Sequence, residues 1–111
     1  MRLTANAHKR IQNYMDAVTT LSALAEPTRL AAMRMLRDGR EHCVCELMSA
    51  LGASQSRMSR HMTVLKLAGL VTDRRDAQWV RYRRSSNLPA PVDALVEAAL
   101  DLPETRRQSA A

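Results

Sequence analysis

The chain has three glycines, Gly39, Gly52 and Gly69, and each stands where a run of apolar residues at helical spacing breaks off. This cuts the sequence as far as residue 69 into a series of short helices. From His8 to Leu24 the apolar residues are Ile11, Tyr14, Met15, Val18, Leu21 and Leu24, which predicts helix 1. Pro27 suits a first helical turn, where its missing N–H is not needed, and Leu30, Met33 and Leu36 continue a second helix over about 27–37. Val44, Leu47, Met48 and Leu51 predict a third, ended by Gly52 in the left-handed conformation.

Ser54 is placed to cap a fourth helix whose inward face is Met58, Met62 and Leu65. After Ala68-Gly69 the pattern changes. Leu70–Arg75 and Trp79–Arg83 read as two β segments around Asp76-Ala77-Gln78, with Trp79 and Tyr82 packing them onto the body. Beyond Pro89 and Pro91, the residues Val92, Leu95, Val96 and Ala99 predict a fifth helix. The expected fold class is mainly α (α+β): a winged helix-turn-helix with a two-stranded β-hairpin wing. It forms one domain over residues 8–102, with residues 1–7 and 103–111 as tails.

The net charge of the 111-residue chain is +6, and residues 57–84 alone carry eight Lys/Arg against two Asp/Glu. A basic stretch on a helix and hairpin is what a surface that follows DNA phosphates requires. On the fourth helix, Gln55, Ser56, Ser59 and Arg60 are the candidates for base edges and phosphates, Arg57, His61 and Lys66 for phosphates, and Thr63 shares their face. On the hairpin the candidate phosphate ligands are Arg74, Arg75, Arg81, Arg83 and Arg84. The partner expected from these residues is double-stranded DNA.

No apolar run approaches the roughly 20 residues of a membrane helix, and the first residues lack the apolar stretch of a secretory signal, so a cytoplasmic protein is expected. In a reducing compartment Cys43 and Cys45 serve as ligands or nucleophiles rather than as a structural staple. There is no Cys-x-x-Cys and no βαβ pattern, which argues against a thiol enzyme. Two thiolates favour soft centres such as trivalent arsenic, antimony or cadmium, with zinc or lead as further options and thiol oxidation as another use of the same pair. On a regular helix, residues two apart point about 200° from each other, so capture of one small centre is expected to unwind the start of helix 3.

Leu21–Leu30, Ser54–Met62 and Leu67–Arg75 resemble the ArsR/SmtB family of metal-sensing repressors, over about residues 15–85. Glu41-His42-Cys43-Val44-Cys45-Glu46-Leu47-Met48 is similar to the Cys-Val-Cys metal box of the arsenic-responsive members. The resemblance implies a homodimer joined through helices 1 and 5, no permanent cofactor, and release from operator DNA when As(III) or Sb(III) binds Cys43 and Cys45. The chain departs from that pattern at Met48, where a third cysteine is usual, and at Ala77, where the wing often has glycine. The zinc site that some members carry on the last helix is not expected, since that helix offers Asp93 and Glu97 but no histidine.

Overall fold

The computed structural model describes residues 15–104. Its elements, in chain order, are α1 (Ala17–Leu24), α2 (Pro27–Met35), a 3-10 turn (Leu36–Asp38), β1 (His42–Cys43), α3 (Val44–Leu51), α4 (Gln55–Leu67), β2 (Val71–Asp76), β3 (Trp79–Arg84) and α5 (Ala90–Asp101). All five expected helices and the wing are present.

Helix starts are set by capping side chains. Asp16 Oδ1 accepts from Thr19 N–H at 2.7 Å, Glu26 Oε1 from Arg29 N–H at 2.8 Å, and Ser54 Oγ from Arg57 N–H at 3.3 Å. Within the described residues the expected helix 1 is broken at Asp16: this residue is extended, with φ −73° and ψ 164°, and its carboxylate caps the segment that starts at Ala17, while Met15 before it is again helical. The stretch 8–14 of that expectation lies outside the described residues. Gly52 closes α3 at φ 66°, as expected.

One core unites these pieces. Met33 and Leu36 from the second helical segment, Leu47 from α3, Met58, Met62 and Leu65 from α4, Leu70 before the wing and Val96 from α5 are all fully buried. The methionines are thus packing residues, which their flexible thioether chains suit. Tyr82 anchors the wing in this core, and Trp79 packs at its edge. Burial raises the pKa of the Tyr82 phenol above its ordinary value, with a smaller contribution from Asp73.

The sheet has three strands, not two, in the order β1-β3-β2 and antiparallel throughout. The added strand is the dipeptide expected to lie at the start of helix 3. Cys43 sits at φ −66°, ψ 145°, and pairs with Arg81, while His42 pairs with Tyr82. A two-residue strand has no periodicity of its own; it forms because the edge of β3 offers unpaired backbone groups.

Candidate thiol centre and nucleic-acid interface

Cys43 is the N-cap of α3 and Cys45 its second residue, so one is extended and the other helical. Their Cα atoms are 5.1 Å apart and their sulfurs are joined as a disulfide. The expected unwinding is therefore unnecessary: the opposed directions apply only to two residues inside one helix, and Cys43 lies outside it. The cap is reciprocal, with Cys45 N–H donating to Cys43 Sγ at 3.2 Å and Cys43 N–H donating to Glu46 Oε1 at 3.3 Å.

His42, adjacent to the thiols, is engaged at both ring nitrogens. Nε2 lies 2.9 Å from Asp38 Oδ2 and Nδ1 lies 3.1 Å from Glu46 Oε2. The Arg40 N–H, followed by His42, holds the Asp38 carboxyl below its usual pKa. Among the described residues no group of three or more His, Cys, Asp or Glu side chains is arranged to hold a metal ion.

The residues around the thiols are tied directly to the wing. Glu41 accepts two hydrogen bonds from Arg74, both at 2.8 Å, which lowers the carboxyl pKa and raises that of the guanidinium. His42 and Cys43 then pair with Tyr82 and Arg81. Three consecutive residues, Glu41, His42 and Cys43, are thus all partnered by the hairpin.

On α4 the side chains of Gln55, Ser56, Arg57, Arg60, Thr63 and Lys66 are exposed, and Ser59 and His61 are half-buried. The Thr63 hydroxyl donates to the Ser59 carbonyl at 2.8 Å, leaving only its lone pairs for an outside group. In the wing, the pairing of Arg74 with Arg81 and of Thr72 with Arg83 puts Arg74, Arg81 and Arg83 on one face, while Arg75, opposite Val80, points to the other.

Several cations are already paired. Lys66 meets Asp73 at 3.0 Å and Arg81 meets Asp76 at 2.8 Å, a contact that lowers the Asp76 pKa. Arg84 departs furthest from expectation. It is buried, bonded to Asp93 at 2.7 Å and to Glu97, and so joins the wing to α5 instead of facing phosphates. The reason is strand parity: Arg84 is opposite Val71 on the inward face of the hairpin. Arg37 adds contacts to Glu97 at 2.6 Å and Asp101 at 2.7 Å, so all three carboxylates of the last helix, Asp93, Glu97 and Asp101, are paired with arginine.

The model of the bacterial regulatory protein arsR family matches residues 26–73, from the cap of α2 into β2. The chain is also 36% identical over 87 residues to the arsenical resistance operon repressor of Escherichia coli K12, covering 78% of this chain and 74% of that protein. The chain belongs to the arsR family. It shares 42% identity over 78 residues with the arsenic resistance transcriptional regulator ArsR1 of Pseudomonas putida, covering 70% of this chain and 61% of that protein. Among solved structures, HlyU from Vibrio cholerae is similar with a TM-score of 0.64 and 42% identity, over 75% of this chain and 86% of that one.

The arsR family consists of transcriptional regulators with a DNA-binding helix-turn-helix, not enzymes. In this arsR-family chain, α3 and α4 are the helix-turn-helix and β2–β3 the wing. Sequence reasoning missed three features of the site. Arg29 reaches His61 on α4, β1 joins the thiols to the wing, and Glu41 holds Arg74. Opposite charges at Glu41 and Arg74 were visible, but their separation of 33 residues hides the contact until the sheet forms.

Proposed function

We propose that this arsR-family protein is a cytoplasmic, metalloid-responsive repressor, which holds operator DNA as a homodimer and releases it when trivalent arsenic or antimony is captured by Cys43 and Cys45. The observation that carries the reading is the convergence of the Cys45 sulfur, from the first turn of α3, with that of Cys43, on the strand paired with the wing. A reduced dithiol here can condense with arsenous acid, each thiol proton leaving with one hydroxide as water, to give a two-sulfur chelate with one oxygen ligand remaining. Two soft, close thiols fit that centre better than they fit a cation seeking oxygen ligands.

Operator contact falls to Gln55, Ser56, Ser59, Arg60 and Thr63 on the outer side of α4, with Arg57, His61 and Lys66 at phosphates. The wing adds Arg74, Arg75, Arg81 and Arg83. Lys66, Arg74 and Arg81 must exchange a carboxylate for a phosphate to take part, so binding is coupled to the acids that now hold them. Capture at Cys43 changes the backbone strand that aligns Arg81, and this is the route by which ligand alters the wing. The domain of residues 8–102 dimerises through α1 and α5, in keeping with the exposed apolar side chains Val18 and Leu21 on α1 and Leu102 just beyond α5.

The reading is tested with a fluorescent duplex from the promoter of the protein's own operon. Arsenite or antimonite should release reduced wild type and leave the Cys43→Ser/Cys45→Ser variant bound. Unchanged operator affinity in wild type would reject metalloid sensing.

A second reading is favoured by the disulfide itself. Peroxide could oxidise the two thiols to that bond, yielding two waters, and oxidation would then be the releasing signal. Release by peroxide but not by arsenite, antimonite, cadmium, zinc or lead identifies this case.

A further inference from the structure

His61 differs from the other polar residues of α4 because its ring turns to the flank facing α2, with the side chain 17% exposed. There its Nδ1 meets Nη1 of Arg29 at 3.1 Å. Arg29 is itself fixed, since Nε donates to the Ala23 carbonyl at 2.7 Å and Nη2 to the Ser22 carbonyl at 3.3 Å. Its backbone N–H is fixed as well, donating to Glu26 Oε1 at 2.8 Å.

A guanidinium has five donors and no acceptor. The contact therefore has one sense: Nδ1 accepts through its lone pair, and the proton of the neutral ring resides on Nε2. The Glu26 carboxylate, the acceptor that would favour a proton on Nδ1, is 3.8 Å away and already bonded to Arg29 N–H. Nε2 makes no hydrogen bond among the described residues, where the one buried side-chain polar atom without a partner is Thr20 Oγ1. Nε2 therefore keeps some exposure among the described residues.

We infer that Arg29 is a positioning residue which locks His61 as a donor, so that Nε2–H binds a phosphate oxygen of DNA. The inference rests on the DNA-binding reading above and adds the direction of the bond and the residue that sets it. Phosphate is the acceptor because His61 stands on the flank of α4, whereas the outer face that would meet base edges is formed by Gln55, Ser56 and Arg60. A donor fixed in advance loses no tautomer freedom on binding.

The test joins a spectrum to two isosteric substitutions. In the free reduced protein, ring-nitrogen NMR should show His61 as the Nε2–H tautomer. His61→Gln, whose amide nitrogen reaches the Nε2 position, should bind the operon-promoter duplex within about threefold of wild type. His61→Asn, which has no donor there, should bind about tenfold more weakly, the size of one lost hydrogen bond to a charged acceptor. The weakening should be equal on an unrelated duplex, as phosphate contacts require.

An Nδ1–H or averaged ring spectrum, or equal affinity of the two variants, would overturn the inference. Weakening confined to the promoter duplex would overturn the phosphate assignment in favour of a base edge. If wild type binds neither duplex, the DNA-binding reading itself fails, whatever the tautomer. Arg29→Met should convert the ring spectrum to a mixture of tautomers; should that variant not fold, the His61 pair still decides.

Discussion

Cys43 and Arg81 are register partners across the β1–β3 ladder, one at the cap of α3 and the other in the wing. A change of backbone at the thiol is therefore a change at the strand carrying two of the wing cations, Arg81 and Arg83, with no intervening side chain needed to relay it. Glu41, two residues earlier and on the same face, reinforces the link through Arg74. The thiol-bearing segment and the wing form a single hydrogen-bonded unit.

That unit makes Glu41 a brake on the wing. Glu41→Gln should free Arg74 for phosphate, tightening DNA binding by about two- to fivefold at low salt, since an exposed ion pair is worth up to about 1 kcal/mol. The slope of log affinity against log salt should steepen by about 1, as one more phosphate is neutralised. An unchanged salt slope would show that Arg74 does not reach DNA.

Ala77 at the wing tip has φ 59°, a left-handed conformation that costs a residue with a Cβ about 1–2 kcal/mol. Ala77→Gly should relieve that cost against a smaller loss of unfolded-state entropy, for a net gain of about 0.5–1 kcal/mol in urea unfolding. A destabilised variant would contradict the strain.

Thr20 is buried and its hydroxyl has no partner among the described residues. Thr20→Val keeps the shape and removes an unpaired polar group, so stability should rise by about 1 kcal/mol. No change in the unfolding midpoint would mean that the hydroxyl is satisfied.

Acid should weaken the fold through its ion-paired carboxylates. Arg84 and Arg37 lower the Glu97 pKa, Arg74 that of Glu41 and Arg81 that of Asp76. A carboxyl with a lowered folded pKa contributes fully above its unfolded value, about 4, and the contribution is lost as pH falls through the folded value. Urea midpoints should decline on acidification below about pH 4.5, and Glu97→Gln should flatten that decline. Parallel curves for wild type and variant would remove Glu97 from the account.

Helices α2 to α5, the wing and the core methionines were legible because amphipathic spacing and turn residues are local signals. The cap at Asp16 was not, since an acidic residue within a continuing stripe looks the same whether it caps or faces solvent. The strand at His42–Cys43 exists only against β3, and the inward turn of Arg84 follows from its pairing with Val71, in a hairpin whose two strands each end one residue later than the β-rich runs suggested. The thiol pair was visible as a motif, but its geometry was not: Cys43 leaves the helix to satisfy the sheet, which brings the sulfurs together without unwinding.

The central claim is that the thiol centre and the DNA surface are energetically coupled, and coupling between two sites must be reciprocal. The most direct measurement is arsenite affinity of the reduced protein, free and saturated with the operon-promoter duplex. The account predicts that DNA weakens arsenite binding by the same factor by which arsenite weakens DNA binding, about 5- to 150-fold for typical couplings. Equal arsenite affinity with and without DNA would contradict it.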